Sequence, residues 1–361
     1  MNLTEYKTLG KSGLRVSPLT LGTMTFGTEW NYGTSADEAS KMMQTYIELG
    51  GNSIDTANLY TKGHSEKIVG DFVKNSSIRR DQLIIGSKFF ANLYPGDPNA
   101  GGNSRKSIIQ SLENSLRRLQ TDYLDIYWMH AYDVHTPIEE TMYSLNNLVT
   151  SGKVRYIAVS DTPAWKITQA QLLSQFRGWS SFVGIQSEYS LLERTIEGEI
   201  IPLADEFGIG LMPWSPLKQG VLSGKYTRDN KGKKQSERTV VKPNRSEKEY
   251  LIIDRLLELA NEKNVAVSAV ALAWVINRAA VSSTIIGART IGQLEQNIAS
   301  LNVVLSEEEI NSLDIISEPI FTFPISMLKG GAWNIAQAGT TVNGIASVIP
   351  PILPQSDEER Y

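Results

Sequence analysis

Short apolar runs alternate with longer amphipathic stretches along most of the chain. The runs at residues 53–57, 83–88 and 123–130 are each followed by a segment in which apolar residues recur at helical spacing. The runs are apolar throughout rather than at every second residue, which is typical of strands that are covered on both faces. This pattern predicts parallel strands, each followed by a helix.

About eight such βα units can be assigned, which favours one closed (β/α)8 TIM barrel over an open doubly wound sheet. No Gly-x-Gly-x-x-Gly motif follows the first strand, and this lowers the Rossmann alternative. A hairpin is predicted at residues 6–18, and a long basic loop is predicted after strand 7, from Pro216 to about Arg245. The predicted strands are 19–22, 53–57, 83–88, 123–130, 154–160, 182–187, 210–215 and 283–288.

The last part of the chain differs in composition from the predicted barrel. We expect the barrel to span residues 1–318 and a C-terminal tail to span residues 319–361. The tail has no charged residue between Lys329 and Asp357, whereas disordered segments are usually rich in charge. We therefore expect the tail to pack on the barrel or on a partner chain, which leaves a homo-oligomer open.

Composition narrows the range of functions. The net charge of −4 gives no reason to expect nucleic acid or an anionic membrane as a partner. No apolar run approaches the roughly 18 residues of a membrane span, and the N-terminus lacks the apolar core of a signal peptide, so a cytoplasmic protein is expected. Without Cys there is no disulfide, thiol nucleophile or thiolate metal site.

Ionisable side chains follow three consecutive predicted strands. Asp55, Lys88 and His130 lie at the strand ends, and Tyr60 lies in the loop after Asp55. Taken singly, each has a more ordinary interpretation, as a turn residue, a solvated charge, a polar core residue or a packed ring. In barrel enzymes, however, catalytic groups lie at the C-terminal ends of the strands. The convergence of an acid, a phenol, an amine and an imidazole therefore predicts one catalytic cluster.

Such a cluster suits the reduction of a carbonyl. Hydride transfer to the carbonyl carbon leaves negative charge on the oxygen, which needs a proton. A phenol, with an ordinary pKa of about 10, is a poor acid at neutral pH unless a nearby cation favours the phenolate. Lys88, held by Asp55, can supply that field, and His130 can donate a hydrogen bond to the substrate oxygen. Tyr60 is thus the predicted general acid.

The same stretches resemble the aldo-keto reductase superfamily, in the branch that contains bacterial reductases and the β subunits of voltage-gated potassium channels. The resemblance extends in order over about residues 5–316, and several independent motifs agree. The matching stretches are 51–66, 85–88, 122–130, 152–160, 186–191, 213–217, 220–226, 286–290 and 293–297.

The resemblance implies a (β/α)8 barrel that binds NADPH in extended form, with the four residues named above as a catalytic tetrad. Ser160 and Gln186 would hold the nicotinamide carboxamide. The family usually has Asn where this chain has Asp161, and an Asp side chain cannot donate an amide hydrogen bond. That contact is therefore expected to differ from the family pattern.

The resemblance also assigns the rest of the cofactor groove. Arg289 precedes a predicted helix N-terminus near Thr290, and both features favour a phosphate. Glycines in the loop after strand 7 would let the backbone approach the phosphates closely. The implied cofactor residues, besides Ser160 and Gln186, are Gly22, Thr23, Met24, Asp55, Asp161, Trp214, Ser215, Pro216, Leu217, Gly220, Leu222, Gly224, Lys225, Arg238, Gly287, Ala288, Arg289, Gln293, Gln296 and Asn297.

The substrate pocket is less well defined by the sequence. Aromatic residues of neighbouring loops can line it, although each one alone is more often a packing residue. An aromatic, mostly apolar mouth suits an aldehyde or ketone with apolar bulk, and it does not choose among sugar, steroid, aromatic and aliphatic carbonyls. The candidates are Trp30, Phe89, Phe90, Tyr94, Tyr132 and Trp333.

Three functions remain open at this level. The first is an NADPH-dependent aldehyde or ketone reductase, working in either direction. The second is a cofactor-binding regulatory subunit like the channel β subunits, which can retain the tetrad; turnover of nitrobenzaldehyde with NADPH separates the two. The third is a metal-dependent barrel hydrolase, which the presence of only three His residues disfavours and which metal analysis would test.

Overall fold

The computed structural model describes residues 1–233 and 244–360. Within these ranges strands and helices alternate in the predicted order. The strands are β1 (Lys7–Thr8), β2 (Arg15–Val16), β3 (Leu19–Gly22), β4 (Ser53–Asp55), β5 (Ile84–Phe89), β6 (Leu124–Met129), β7 (Val154–Ser160), β8 (Phe182–Gln186), β9 (Gly210–Leu211), β10 (Thr284–Gly287), β11 (Thr341–Val342) and β12 (Ile345–Ala346). The helices are α1 (Ala36–Glu48), α2 (His64–Asn75), α3 (Arg105–Leu119), α4 (Ile138–Thr150), α5 (Ala164–Arg177), α6 (Ile200–Phe207), α7 (Glu247–Lys263), α8 (Val267–Ile276), α9 (Ile291–Ala299), α10 (Glu307–Ile316), α11 (Ile325–Met327) and α12 (Trp333–Gln337).

Eight parallel strands form one curled sheet in the order β10-β3-β4-β5-β6-β7-β8-β9. A parallel bridge between Leu211 and Val281 joins its two edges, and the N–H of Ile285 donates to the carbonyl of Pro213 at 2.9 Å. The predicted (β/α)8 TIM barrel is therefore confirmed. The strand predicted at 210–215 is shorter in the structure, as β9, although the N–H groups of Met212 and Trp214 still donate to the carbonyls of Ile185 and Ser187.

Side chains along the strands alternate between the barrel interior and the layer beneath the helices. In β5, Ile84 belongs to the interior cluster and Phe89 to the cluster under the helices. Lys88 has the same parity as Ile84, so its side chain points into the barrel. The β1–β2 hairpin adds Leu9 and Val16 to the interior cluster. The interior is thus apolar at the N-terminal end of the strands and polar at the C-terminal end.

Serine side chains begin several of the barrel helices. Ser35 accepts a hydrogen bond from the N–H of Glu38 at 3.3 Å, as the sequence predicted. Ser306 forms a capping box with Glu309 at the start of α10. Such N-caps typically contribute about 1 kcal/mol each. They fix where these two helices begin.

Helix α8 is apolar on all its faces and almost entirely buried, which is typical of a helix inside a large core. Among residues 1–233 and 244–360, no single helix has the length and composition of a membrane span. The pair α7 and α8 reaches that composition only as two pieces, bent by 101°.

The tail contacts the barrel near the start of α6. A Cβ atom on Gly198 would lie 3.2 Å from the Phe321 ring and 3.3 Å from Ile325. Beyond this contact, many apolar side chains of the tail are exposed, among them Ile320, Phe323, Met327, Ile345, Val348 and Ile352. The packing of the whole tail on the barrel or on a partner chain stays a prediction.

Candidate active site

The tetrad residues lie together at the C-terminal end of the barrel. Asp55 ends β4, Lys88 is near the end of β5, and His130 directly follows β6. Tyr60 begins the 3-10 turn Tyr60–Gly63, in which three residues have positive φ and reverse the chain before α2. The turn is tied to the neighbouring loop, because the Thr61 hydroxyl donates to the carbonyl of Phe26 at 2.7 Å.

Lys88 joins the members of this cluster. Its ammonium donates to the Tyr60 hydroxyl at 3.0 Å and to the carbonyl of Thr56 at 2.9 Å. It also forms a direct ion pair with a carboxylate oxygen of Asp55. The Lys88 side chain is only 1% exposed and that of Asp55 only 5%, so water screens this pair poorly.

His130 stands beside the phenol. The rings of Tyr60 and His130 have centroids 5.9 Å apart and are nearly perpendicular, at 81°. Burial, together with the charge of Lys88, lowers the pKa of His130 to about 3. At neutral pH the imidazole is therefore neutral, and its N–H can donate a hydrogen bond without carrying a charge.

The phenol and the ammonium respond differently to burial. Burial raises the pKa of Tyr60 and outweighs the lowering by Lys88, while Asp55 raises it further. Burial alone would lower the pKa of Lys88, but Asp55 and Tyr60 raise it above its usual value. The sequence predicted that Lys88 would favour the phenolate; the structure shows that effect, but the net direction is opposite. Tyr60 is a protonated phenol and Lys88 a cation at neutral pH.

A second buried ion pair, between Glu66 and Arg118, anchors the strand that carries Lys88. Glu66 is fully buried, accepts from Nε of Arg118 at 2.6 Å, and accepts from the Ser87 hydroxyl at 2.5 Å. Ser87 precedes Lys88, so the pair anchors the strand that carries the ammonium. This role of Glu66 cannot be predicted from the sequence, because its partner Arg118 lies 52 residues away and no local pattern links them.

The residues assigned to the nicotinamide lie on the adjoining strands. Gln186 at the end of β8 donates to the second carboxylate oxygen of Asp55 at 2.7 Å. Ser160 at the end of β7 is paired with Gln186 in the sheet. Asp161 follows with φ of 42° and accepts from the indole N–H of Trp214 at 3.1 Å. These contacts connect the tetrad with the ends of β7, β8 and β9.

The residues assigned to the phosphates continue the same rim. Gly22 lies between Asp55 of β4 and Gly287 of β10 in the sheet register. Among residues 1–233 and 244–360, no neighbouring atom lies within 4 Å of a Cβ built on Gly287 or on Gly220, so these residues leave open space beside both backbones. Arg289 is exposed and precedes α9, whose N-cap is Thr290. A guanidinium at a helix N-terminus beside open backbone fits a phosphate.

Several assigned cofactor residues also make structural contacts. The Leu222 side chain is buried in the main core, and a Cβ on Gly224 would lie 3.0 Å from Val267, so a cofactor role at these two positions would fall to the backbone and stays a prediction. The buried Thr23 hydroxyl contacts the carbonyl of Asp55 and the Ser65 hydroxyl. Asn297 is buried and donates to the carbonyl of Gly287 at 3.2 Å. Arg238 lies outside the described residues.

The remaining assigned positions show a range of exposure. Pro216 and Ala288 are buried, Ser215, Leu217 and Gln293 are half-buried, and Met24, Lys225 and Gln296 are exposed.

The predicted substrate residues separate into two groups. Phe89 is fully buried and packs on the Tyr127 ring, with centroids 4.8 Å apart. Because it follows the inward-facing Lys88 in the strand, its side chain points outward, toward the helices. It therefore does not line a pocket inside the barrel. Trp30 and Tyr132 are partly exposed in loops at the C-terminal end. The Tyr132 ring packs edge-on against the Trp165 ring, with centroids 6.1 Å apart. Trp165 was not among the residues predicted from the sequence.

The other aromatic candidates are less closely tied to the cluster. Phe90 directly follows β5 with φ of 116°, and Tyr94 lines a polar cavity with Asn58 and Arg118. Trp333 lies in the tail and is 38% exposed. Its predicted position in the substrate pocket stays a prediction.

Comparison with known proteins agrees with this geometry. The model of the Aldo/keto reductase family matches residues 18–318. Norsolorinic acid reductase of Aspergillus flavus is 36% identical, over 88% of this chain and 82% of its own. An uncharacterized oxidoreductase of Bacillus subtilis is 36% identical, over 86% and 95%. An aryl-alcohol dehydrogenase of Pestalotiopsis microspora is 34% identical, over 84% and 79%. The chain therefore belongs to the aldo-keto reductase family and is an oxidoreductase of the (β/α)8 barrel class.

Proposed function

We propose that this protein interconverts an aldehyde or ketone and its alcohol with NADPH as the hydride donor, and with Tyr60 as the acid that protonates the carbonyl oxygen. The observation that carries the proposal is the hydrogen bond of 3.0 Å between Lys88 and Tyr60. It lies in a cluster that also contains Asp55 and His130 at the C-terminal end of the strands.

The chain's own residues supply the proton and orient the oxygen. Tyr60 keeps its proton at neutral pH, because burial raises the pKa of the phenol. As the proton leaves toward the carbonyl oxygen, the ammonium of Lys88 stabilises the developing phenolate. Asp55 holds Lys88 in place, and the neutral His130 donates a hydrogen bond to the same oxygen.

NADPH, when bound, supplies the hydride that reaches the carbonyl carbon. Ser160, Asp161 and Gln186 would contact the nicotinamide, because they extend from the tetrad along β7 and β8. Gly220, Gly287 and Arg289 would hold the phosphates. The guanidinium of Arg289 fits the 2′-phosphate that distinguishes NADPH from NADH.

An aryl aldehyde or the matching benzylic alcohol is the best candidate substrate class. The names of the relatives include a reductase and aryl-alcohol dehydrogenases. Trp30 and Tyr132 provide aromatic surface on loops at the end of the barrel that carries the tetrad, and Trp165, in the first turn of α5, packs against Tyr132. Such rings suit a flat aromatic substrate.

The test is turnover by the purified protein. Benzaldehyde, nitrobenzaldehyde and an aliphatic aldehyde of similar mass are each supplied with NADPH and with NADH, and benzyl alcohol is supplied with NADP⁺. The proposal expects NADPH-dependent consumption of the aryl aldehydes, with the alcohol identified as product. Tight NADPH binding without turnover of any carbonyl would instead favour a cofactor-binding regulatory subunit.

A further inference from the structure

Asp161 places a carboxylate next to the reacting groups, although the mechanism above gives it no chemical step. It directly follows Ser160 at the end of β7, and one of its oxygens accepts from the Trp214 indole at 3.1 Å. Burial raises the pKa of Asp161, while the hydrogen bond from Trp214 and the charge of Lys88 lower it. The charge of Asp161 is in turn one of the causes that raise the pKa of Tyr60. Although Asp161 is exposed, its carboxylate therefore lies within electrostatic range of the tetrad.

The two forms of the cofactor differ in charge at the ring that would lie beside this carboxylate. The nicotinamide ring carries a positive charge in NADP⁺ and none in NADPH. A fixed carboxylate close to the ring attracts the oxidised form and leaves the reduced form almost unaffected. A neutral amide at the same position, which is usual in the family, has no such preference.

We propose that Asp161 is a specificity-determining residue for the redox state of the cofactor, which strengthens the binding of NADP⁺ relative to NADPH. The inference rests on the proposed nicotinamide site at Ser160 and Gln186. It adds a preference for one redox form to that site: the affinity difference moves the equilibrium of the bound cofactor toward NADP⁺, which favours formation of the alcohol in the bound complex.

Asp161→Asn is a closely matched test variant. Asn retains the oxygen that accepts from Trp214, and it tolerates the positive φ of 42° at this position. Any hydrogen bond that Asn gains to the carboxamide is made to both redox forms, so it cancels in the ratio of the two affinities. Asp205→Asn is the control, because Asp205 is exposed near the end of α6 and loses the same charge far from the strand ends that carry the tetrad.

The experiment measures the dissociation constants of NADP⁺ and NADPH at pH 8, by quenching of tryptophan fluorescence, for the wild type and both variants. We expect Asp161→Asn to raise the ratio Kd(NADP⁺)/Kd(NADPH) about tenfold, equivalent to about 1.4 kcal/mol, and Asp205→Asn to leave it unchanged. A change below twofold in Asp161→Asn, or an equal change in the control, would overturn the inference while leaving the proposed function intact. A wild type that binds neither dinucleotide would overturn both.

Discussion

Replacing Lys88 with Met removes the ammonium that contacts both Asp55 and Tyr60, and it should affect stability and rate separately. The Asp55 carboxylate, only 5% exposed, would remain buried without its partner, which typically costs about 3–5 kcal/mol. For the rate, two unit charges 3.0 Å apart interact by about 5.5 kcal/mol at an effective dielectric constant of about 20. If about half of that charge has developed in the transition state, the rate falls by about 10²-fold.

The matched control is Lys153→Met. Lys153 pairs with Glu113, but these side chains are 42% and 41% exposed, so the loss should be about 0–1 kcal/mol. Equilibrium denaturation, followed by fluorescence and circular dichroism together, measures the stability of each variant, and aldehyde turnover measures the rate. Equal destabilisation by the two substitutions would refute the reasoning that burial makes the Lys88 pair energetically important.

Two further variants test the cofactor groove and the neutral imidazole. Arg289→Ala should weaken NADPH binding far more than NADH binding, because only NADPH carries the 2′-phosphate. Equal losses of affinity in titrations of the two cofactors would show that Arg289 does not bind the 2′-phosphate. His130→Asn should lose less stability than the wild type as the pH falls from about 6.5 toward about 3. The unfolded His gains a proton in this window, whereas the pKa of folded His130 is about 3. Parallel stability–pH curves for the two proteins would contradict a buried neutral His130.

The sequence predicted the barrel and the meeting of the four ionisable residues, because both follow from the order of the elements. Parallel strands place their C-terminal ends at one edge of the sheet. The meeting of residues at the ends of β4, β5 and β6 can therefore be predicted without knowing how the side chains pack. The 3.0 Å contact between Lys88 and Tyr60 agrees with that expectation. Their catalytic roles stay predictions that need kinetic measurements.

The errors have a different origin. Lys88 and Phe89 were both assigned to the cavity, but neighbouring residues of a strand point to opposite faces, and Phe89 is buried under the helices. The partnership of Glu66 with Arg118 depends on the packing of α2 against α3, which no local spacing encodes. Likewise, the net pKa direction of Tyr60 depends on its burial, which the sequence does not specify.

The most direct measurement of the central claim compares turnover by Tyr60→Phe and by the wild type with NADPH and nitrobenzaldehyde, with NADPH affinity determined in parallel. Tyr143→Phe is the control, because it removes a phenol hydroxyl from an exposed position on α4 that has no assigned role in the site. We expect kcat of Tyr60→Phe to fall by about 10²–10⁴-fold, with NADPH affinity nearly unchanged and with most activity retained by the control. A Tyr60→Phe variant that retains more than about a tenth of the wild-type rate would show that another group protonates the carbonyl oxygen.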